Sequence, residues 1–253
     1  MLFNEIVYGP IVSRRLGISL GINVMPDDAK LCTFDCVYCE CGFNKSVSHP
    51  KLPTPEEFSE ALETKLRDMQ GKRIDVITFS GNGEPTLHPL FLQIMQRCVL
   101  LRDKYCPDTE ISVLSNSTQL YRADVREALK LADRRILKLD SAIDRTMRLI
   151  DQPVNESLTV ETILEYLKQF DGDFTLQTCF LKGRHNDCTI DNTTAEEIAE
   201  WYKAVDELHP RQVMIYVIDR KTPVETLEKI PKEKMLEIAL PLKAKGYDVI
   251  ISA

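Results

Sequence analysis

Six runs rich in Val, Ile and Leu recur along the chain: ISLGINV (18–24), IDVITFS (74–80), EISVLSN (110–116), ILKLD (136–140), FTLQTCFL (174–181) and QVMIYVI (212–218). Amphipathic stretches separate them, and strands that alternate with helices dictate βαβ units around a parallel sheet. A parallel sheet covered on both faces has strands that are apolar on both sides. Several of these runs are not. Residues two or four apart share a strand face, so Ser19 with Asn23, Thr78 with Ser80, Ser112 with Asn116, Lys138 with Asp140 and Thr175 with Gln177 each form a polar stripe opposite an apolar one. A curved sheet accounts for the pattern: its outer face packs on helices and its inner face lines a cavity holding something polar. With 43% hydrophobic residues in 253, the chain has material for a sizeable core.

The helices announce themselves by their ends. Thr54-Pro55-Glu56-Glu57 reads as a capping box with proline in the first turn, followed by a stripe of Phe58, Ala61, Leu62, Leu66 and Met69. Thr194 with Glu197 reads as a second box, opening a helix whose apolar face is Ala195, Ile198, Ala199, Tyr202 and Val205. Further helices fit 89–105, 122–132, 158–170 and 231–245, and YDVIIS adds a last strand. No internal repeat or long linker divides the chain, so a single domain over 1–253 is expected, its core at about 18–220 and a short extension at 231–253.

A formal net charge of −7 gives no overall reason to bind nucleic acid, although Arg14 and Arg15 form a local basic pair. The N-terminus MLFNEIVYGP lacks the basic start and apolar stretch of a signal peptide, and no apolar run approaches a membrane span. A cytoplasmic location, with no membrane partner, is the expectation, and there the eight cysteines stay reduced. Cys98, Cys106, Cys179 and Cys188 lie far apart and read as small hydrophobes or incidental thiols. His49, His88, His185 and His209 share no ligand spacing and read as surface or capping residues.

The other four cysteines crowd into KLCTFDCVYCECG (30–42). All-cysteine zinc sites ordinarily use two CxxC knuckles separated by a longer loop, and no second knuckle is present. A single loop with Cys32, Cys36 and Cys39 in a CxxxCxxC pattern suits three corners of a cubane iron-sulfur cluster, leaving the fourth iron for an outside ligand. A zinc-stabilised binding module and a simple iron-sulfur electron carrier are the rival readings.

The cysteine loop, with Tyr38 before its last cysteine, resembles the cluster loop of the radical S-adenosylmethionine (SAM) superfamily, and Gly81-Asn82-Gly83-Glu84-Pro85 at the end of the second strand resembles that superfamily's GGEP motif, with Asn82 in place of the first glycine. GPIVSRRLGISLGINVMP, SGNGEPTLHP, KLDSAIDRTMRLIDQP and VMIYVIDR extend the likeness to small iron-sulfur oxidoreductases related to the wyosine-forming tRNA enzymes. The sequence carries neither the flavin-binding segment nor the second cysteine set of those tRNA enzymes, so a tRNA substrate does not come with the resemblance.

The resemblance implies an α/β fold, a partial (β/α)6 barrel, holding a 4Fe-4S cluster and SAM at the C-terminal ends of its strands, where parallel sheets bind ligands. It implies Cys32, Cys36 and Cys39 as iron ligands, Tyr38 near adenine, and Gly81, Asn82, Gly83 and Glu84 receiving the SAM ammonium. Ser115 and Asn116 are candidates for the ribose or methionyl group, Lys138 for the SAM carboxylate, Asp140 for ribose hydroxyls, and Gln177 for the same lining. A Lys138–Asp140 ion pair is the competing account of those two residues. Cys41 reads as a bystander beside the cluster. The implied activity is reductive cleavage of SAM to a 5'-deoxyadenosyl radical that removes a substrate hydrogen. An electron donor such as flavodoxin or ferredoxin is implied as a partner, and a small molecule or a peptide or protein is favoured over RNA as substrate.

Overall fold

The computed structural model describes residues 2–13, 15–45 and 50–253, which gather into two compact units. Arg14 and His49 lie outside the described residues.

The first unit comprises residues up to 32, 44–115 and 119–135. Its strands run in the order β1 (Val7–Ser13), β2 (Gly17–Ile22), β3 (Val76–Phe79) and β4 (Glu110–Ser115), with β1 antiparallel to β2 and the other pairs parallel. Strand β1 is not foreshadowed in the hydrophobic pattern, because Gly9 and Pro10 interrupt it; proline is tolerated on an outer strand of this kind. Helices α1 (Pro55–Asp68), α2 (Phe91–Tyr105) and α3 (Ala123–Lys130) belong to the same unit, α1 packing on α2 and α2 on α3. Phe79 on β3 meets Phe58 of α1 at 6.0 Å and Phe91 of α2 at 5.7 Å, edge to face with the latter. All three rings are fully buried, so this trio anchors the unit's core.

The expected box at α1 is complete. Thr54 Oγ1 accepts from Glu57 N at 3.1 Å, and Glu57 Oε2 accepts from Thr54 N at 2.8 Å.

The second unit comprises residues 33–43, 116–118 and 136–253. Strand β5 (Arg134–Lys138), whose last three residues belong to it, is followed by parallel neighbours β6 (Thr175–His185), β8 (Gln212–Val217) and β10 (Val249–Ser252). Strand β6 runs beyond the expected 174–181, and its extension pairs antiparallel with two short strands, β7 (Cys188–Asp191) and β9 (Glu228–Lys229). Helices α4 (Asp144–Asp151), α5 (Val160–Lys168), α6 (Ala195–Leu208) and α7 (Lys232–Ala244) complete the unit.

Helix α6 corrects two expectations. Its buried face is Trp201, Ala204, Val205 and Leu208, while Ala195 and Ala199 are exposed and Ile198 and Tyr202 only half-buried. Both stripes have helical spacing, and the one centred on Trp201 prevails because that ring has the most apolar area to remove from water. Its Nε1–H donates to Thr178 Oγ1 at 3.0 Å, and its ring meets Phe180 edge to face at 5.2 Å. The second capping box is half formed: Thr194 accepts from Glu197 N, but the Glu197 carboxylate is bonded by Ser141 Oγ at 2.7 Å instead of closing the box.

Candidate active site

In the first unit the GNGEP segment leaves the end of β3 and pairs with the residue preceding the first cysteine. Leu31 N donates to Asn82 O at 2.9 Å and Glu84 N to Leu31 O at 3.0 Å, forming a parallel bridge between Leu31 and Gly83. Gly83 has φ +145°, and a Cβ built there would lie 1.8 Å from the Leu31 carbonyl oxygen. Only glycine permits this approach.

Asn82, the departure from GGEP, is fully buried. Its side chain turns toward the N-terminal segment, where Oδ1 accepts from Phe3 N at 2.8 Å and Nδ2 donates to Phe3 O and Pro26 O, each at 2.7 Å. Asn23 Oδ1 in turn accepts from Asn82 N at 3.0 Å. The Asn82 amide therefore mimics a strand partner for Phe3 and is committed to the scaffold. Both polar atoms of its side chain are thus engaged in the scaffold, while its backbone carbonyl, which accepts from Leu31 N, has a second lone pair. Glu84 is 2% exposed and accepts from Thr86 N at 3.1 Å and Ser115 Oγ at 2.9 Å. A carboxylate so deeply held is a preorganised acceptor for a cation. Cys32, also of this unit, has its backbone clasped by Asn44: its N–H donates to Oδ1, and its carbonyl accepts from Nδ2, both at 3.0 Å.

Ser19, Thr78 and Ser112 of the polar stripe on β2 to β4 are buried. Ser19 and Thr78 hydroxyls bond to each other at 2.8 Å, while Ser112 Oγ finds no hydrogen-bond partner among the described residues.

In the second unit the cysteine loop lies against the end of α4. Val37 N donates to Ile150 O and Asp35 N to Asp151 O, both at 2.9 Å, and Val154 N donates to Thr33 O at 2.9 Å. Asn116 bonds Thr33 Oγ1 through Nδ2 at 2.8 Å and caps its own turn by accepting from Thr118 N at 3.1 Å. Cys36 and Cys39 are half-buried, as Cys32 is, and none of the eight cysteines forms a disulfide among the described residues.

Beside Cys36 stands a charged group that pattern reading identified only in part. Lys138 Nζ lies 3.0 Å from Asp140 Oδ2, which bears out the ion pair, but it also donates to Asp151 Oδ1 and, at 3.2 Å, to Cys36 Sγ. It sits over the rings of Phe34 at 4.8 Å and Tyr38 at 5.4 Å. Burial alone works against charge on Lys138, yet Asp140, Asp151 and Cys36 together hold its pKa well above the ordinary lysine value. Burial pushes the Asp151 carboxyl up to about 7, with Lys138 pulling the other way. Burial, then Asp140, raises the Tyr38 phenol, which donates to Asp140 Oδ2. Asp140 Oδ1 accepts from Cys179 N at 2.8 Å, so both of its oxygens are engaged. Gln177 is buried, with Nε2 3.4 Å from Met214 Sδ. Asp151 carried no signal of its own, because its partners lie 13 and more than a hundred residues away.

The donor set suits the expected cofactors. Three half-buried thiols without disulfides match a cluster's need for thiolates, and the buried Glu84 with the Gly83 carbonyl matches an ammonium. The unpartnered Ser112 hydroxyl matches a polar guest. Among the described residues no three His, Cys, Asp or Glu side chains converge on a single-ion site. Among the same residues no helix is long and apolar enough to cross a membrane.

Comparison with known proteins agrees. The Radical SAM superfamily model matches residues 29–193. The chain is 31% identical to a UPF0026 protein of Methanocaldococcus jannaschii over 252 residues, 97% of this chain and 72% of that one. It is 32% identical over 246 residues to a Brachyspira hyodysenteriae protein named GTPase Obg, covering 95% of this chain but only 33% of that protein. Among solved structures, Streptococcus suis SuiB bound to S-adenosylmethionine aligns with a TM-score of 0.63 at 13% identity, over 89% of this chain and 48% of that one. SuiB bound to its precursor peptide SuiA aligns with a TM-score of 0.62 at 12% identity, over 88% and 46%. TYW1 with a lysine-pyruvate adduct aligns with a TM-score of 0.63 at 16% identity, over 89% and 73%. The chain thus spans about a third of the Brachyspira hyodysenteriae protein and about half of SuiB. The shared fold is the α/β partial barrel of the radical SAM type, and the family's cofactors are SAM and a 4Fe-4S cluster. Because the family model spans both the cysteine loop and the GNGEP segment, this chain belongs to the radical SAM superfamily of enzymes.

Proposed function

We propose that the protein cleaves SAM reductively and uses the resulting radical on a peptide, protein or small-molecule substrate. The observation that carries this reading is the CxxxCxxC loop, its thiols half-buried and without disulfides, lying inside the family match. A bound cluster would supply the electron for reductive cleavage of SAM, and SAM in turn the 5'-deoxyadenosyl radical chemistry that removes a hydrogen atom from substrate, with methionine as co-product.

The chain's own residues bind and orient. Cys32, Cys36 and Cys39 supply three thiolates and leave one iron for the amino and carboxylate groups of SAM. Glu84 and the carbonyls of Gly81 and Gly83 receive the ammonium, while Asn82 holds that loop in place. Ser115, Asn116, Asp140 and Gln177 offer polar contacts to the rest of SAM, and Tyr38 offers a ring face to adenine. Burial of Glu84, Ser115, Asn116, Asp140 and Gln177 helps to keep water from the reacting atoms. A peptide substrate draws support from SuiB, whose structure contains its precursor peptide. The net charge of −7 counts against RNA. Flavodoxin or ferredoxin in the cytoplasm is the electron source in this reading.

Anaerobic reconstitution followed by dithionite and SAM tests it, with formation of 5'-deoxyadenosine and methionine as the expected result. A verified, reduced cluster that neither binds nor cleaves SAM overturns it. A brown protein whose spectrum ignores SAM would identify an electron carrier, and a colourless one with stoichiometric zinc a binding module. Deuterium transfer from candidate substrates into 5'-deoxyadenosine then identifies the hydrogen donor.

A further inference from the structure

The motif KLDSAIDRTMRLIDQP contributes two candidate cofactor contacts, but its second part has no role in the reading above. In the structure that part is a support for the cysteine loop. Residues 150–154 run alongside residues 33–37, joined by the bonds from Val37 N, Asp35 N and Val154 N and by a bridge between Phe34 and Pro153. Helix α4 stops at Asp151 because Gln152 turns left-handed, with φ 43°, and this turn places the Asp151 carboxylate under Lys138.

An ammonium has three N–H bonds. Those of Lys138 face three acceptors: Asp151 Oδ1, Asp140 Oδ2 and Cys36 Sγ. The side chain is about nine-tenths buried, and the rings of Phe34 and Tyr38 flank its charge. Its donors are therefore already committed, which leaves it poorly suited to grip the carboxylate of SAM. A cationic donor 3.2 Å from a cluster ligand has a different consequence. Hydrogen bonds to the sulfurs and local charge help set the reduction potential of an iron-sulfur cluster.

We propose that Lys138, held in place by Asp151 and Asp140, donates to the Cys36 thiolate and raises the reduction potential of the cluster. The inference rests on Cys36 being a cluster ligand, as the proposed function has it. The step concerned is the entry of one electron from the donor into the cluster; no bond is made or broken. The added negative charge is spread partly onto the thiolate sulfurs, and the Lys138 ammonium stabilises it there. Asp151 partly offsets that positive charge while fixing its position, so the two residues act on the potential with opposite signs.

The test is a redox titration of reconstituted protein without SAM, following the EPR signal of the reduced cluster. Lys138→Met should move the midpoint to more negative potential, by at least tenfold in the one-electron equilibrium, or about 59 mV. Lys138→Arg, which keeps a cationic donor, should recover much of that shift. Asp151→Asn keeps an acceptor for Lys138 but removes a negative charge, and should move the midpoint the other way. General loosening of the loop would not give opposite signs. The proposal is overturned if Lys138→Met leaves the SAM-free midpoint unchanged, and equally if its only effect is weaker SAM binding, which would return Lys138 to the SAM carboxylate. Should Lys138→Met fail to assemble a cluster, Asp151→Asn decides: an unchanged or more negative midpoint overturns the proposal. Failure of the functional reading itself would show in the wild-type protein, as absence of a reducible cluster.

Discussion

The GNGEP loop of the first unit and the cysteine loop of the second are held by different chemistry. Neutral groups hold the first: the Asn82 amide takes the place of a strand partner for Phe3, and Gly83 lies flat against Leu31. The second is held by backbone hydrogen bonds to residues 150–154 and by the charges of Lys138, Asp140 and Asp151. A loop that receives an ammonium gains from rigid, uncharged support around a single buried carboxylate. A loop that presents thiolates to a metal cluster gains from a nearby cation. The difference teaches that the two motifs are interpreted by their surroundings, and that those surroundings lie far away in sequence.

The most damaging way to probe the first loop is to occupy its close approach. Gly83→Ala places a Cβ into the Leu31 carbonyl at a backbone angle that L-residues rarely adopt, so the loop must move or the unit must open. Overpacking and strained backbone together are expected to cost on the order of 4 kcal/mol. Urea denaturation measures the loss, and a variant within 1 kcal/mol of wild type, a bound set by the usual scatter of tolerated substitutions, would show that the bridge is not tight. Asn82→Gly restores the glycine of GGEP but leaves Phe3 N and Pro26 O without their partner. Unsatisfied buried groups make this about 3 kcal/mol unfavourable. Hydrogen exchange should accelerate at Phe3 and its neighbours while the core of the second unit keeps its protection. An unaltered Phe3 amide would mean that the amide mimicry contributes little.

These cases mark what the sequence makes legible. Strands β2 to β6, β8 and β10 and helices α1 to α3 and α5 to α7 follow from hydrophobic period and caps, because those signals are local. Helix α4 has no such signal, because Asp144, Arg145, Arg148 and Asp151 obscure its apolar residues in so short a segment. The motif residues could be named, yet the supports could not. Nothing local in Asn82 points to Phe3, which lies 79 residues away, and nothing in Asp151 points to the loop around Cys36. The face of α6 shows the same limit in packing: two stripes have equal periodicity, and the tertiary pocket around Trp201 chooses between them.

The first loop's neutral support also makes it sensitive to acid at one place. His88 follows the GNGEP segment and is 2% exposed; its Nδ1 accepts from Leu90 N at 3.1 Å, which leaves Nε2–H to donate to Pro53 O at 2.9 Å. That pattern requires the neutral ring. Burial is the main cause lowering the His88 pKa from 6.5, with the Pro53 contact opposing it. The unfolded chain thus takes up the proton first as pH falls. His88's contribution is present in full above its unfolded pKa of about 6.5 and is lost between there and its lower folded value, with a slope of at most about 1.4 kcal/mol per pH unit. Urea midpoints measured from neutral to mildly acid pH should decline, and His88→Gln should flatten the part of the decline beginning near the histidine range. A decline of equal steepness in both proteins would assign the acid sensitivity to other groups.

The smallest expected effect sharpens the comparison from the side of the cysteine loop. Its support depends on the backbone of residues 150–154, so a side chain there can be dispensable where one in the first loop is not. Gln152 occupies the left-handed region at φ 43°, and its Nε2 is buried without a hydrogen-bond partner among the described residues. Glycine relieves the backbone strain and removes the unsatisfied donor, at the expense of more freedom in the unfolded chain, so Gln152→Gly should be stabilising by about 0.5 kcal/mol. The Asp35 and Val37 amides should keep their exchange protection in this variant, because the carbonyls that hold them are unchanged. Marked destabilisation, or faster exchange at those two amides, would show that the Gln152 side chain is itself part of the clamp, and that backbone bonds and the Lys138 charge group do not suffice to hold the cysteine loop.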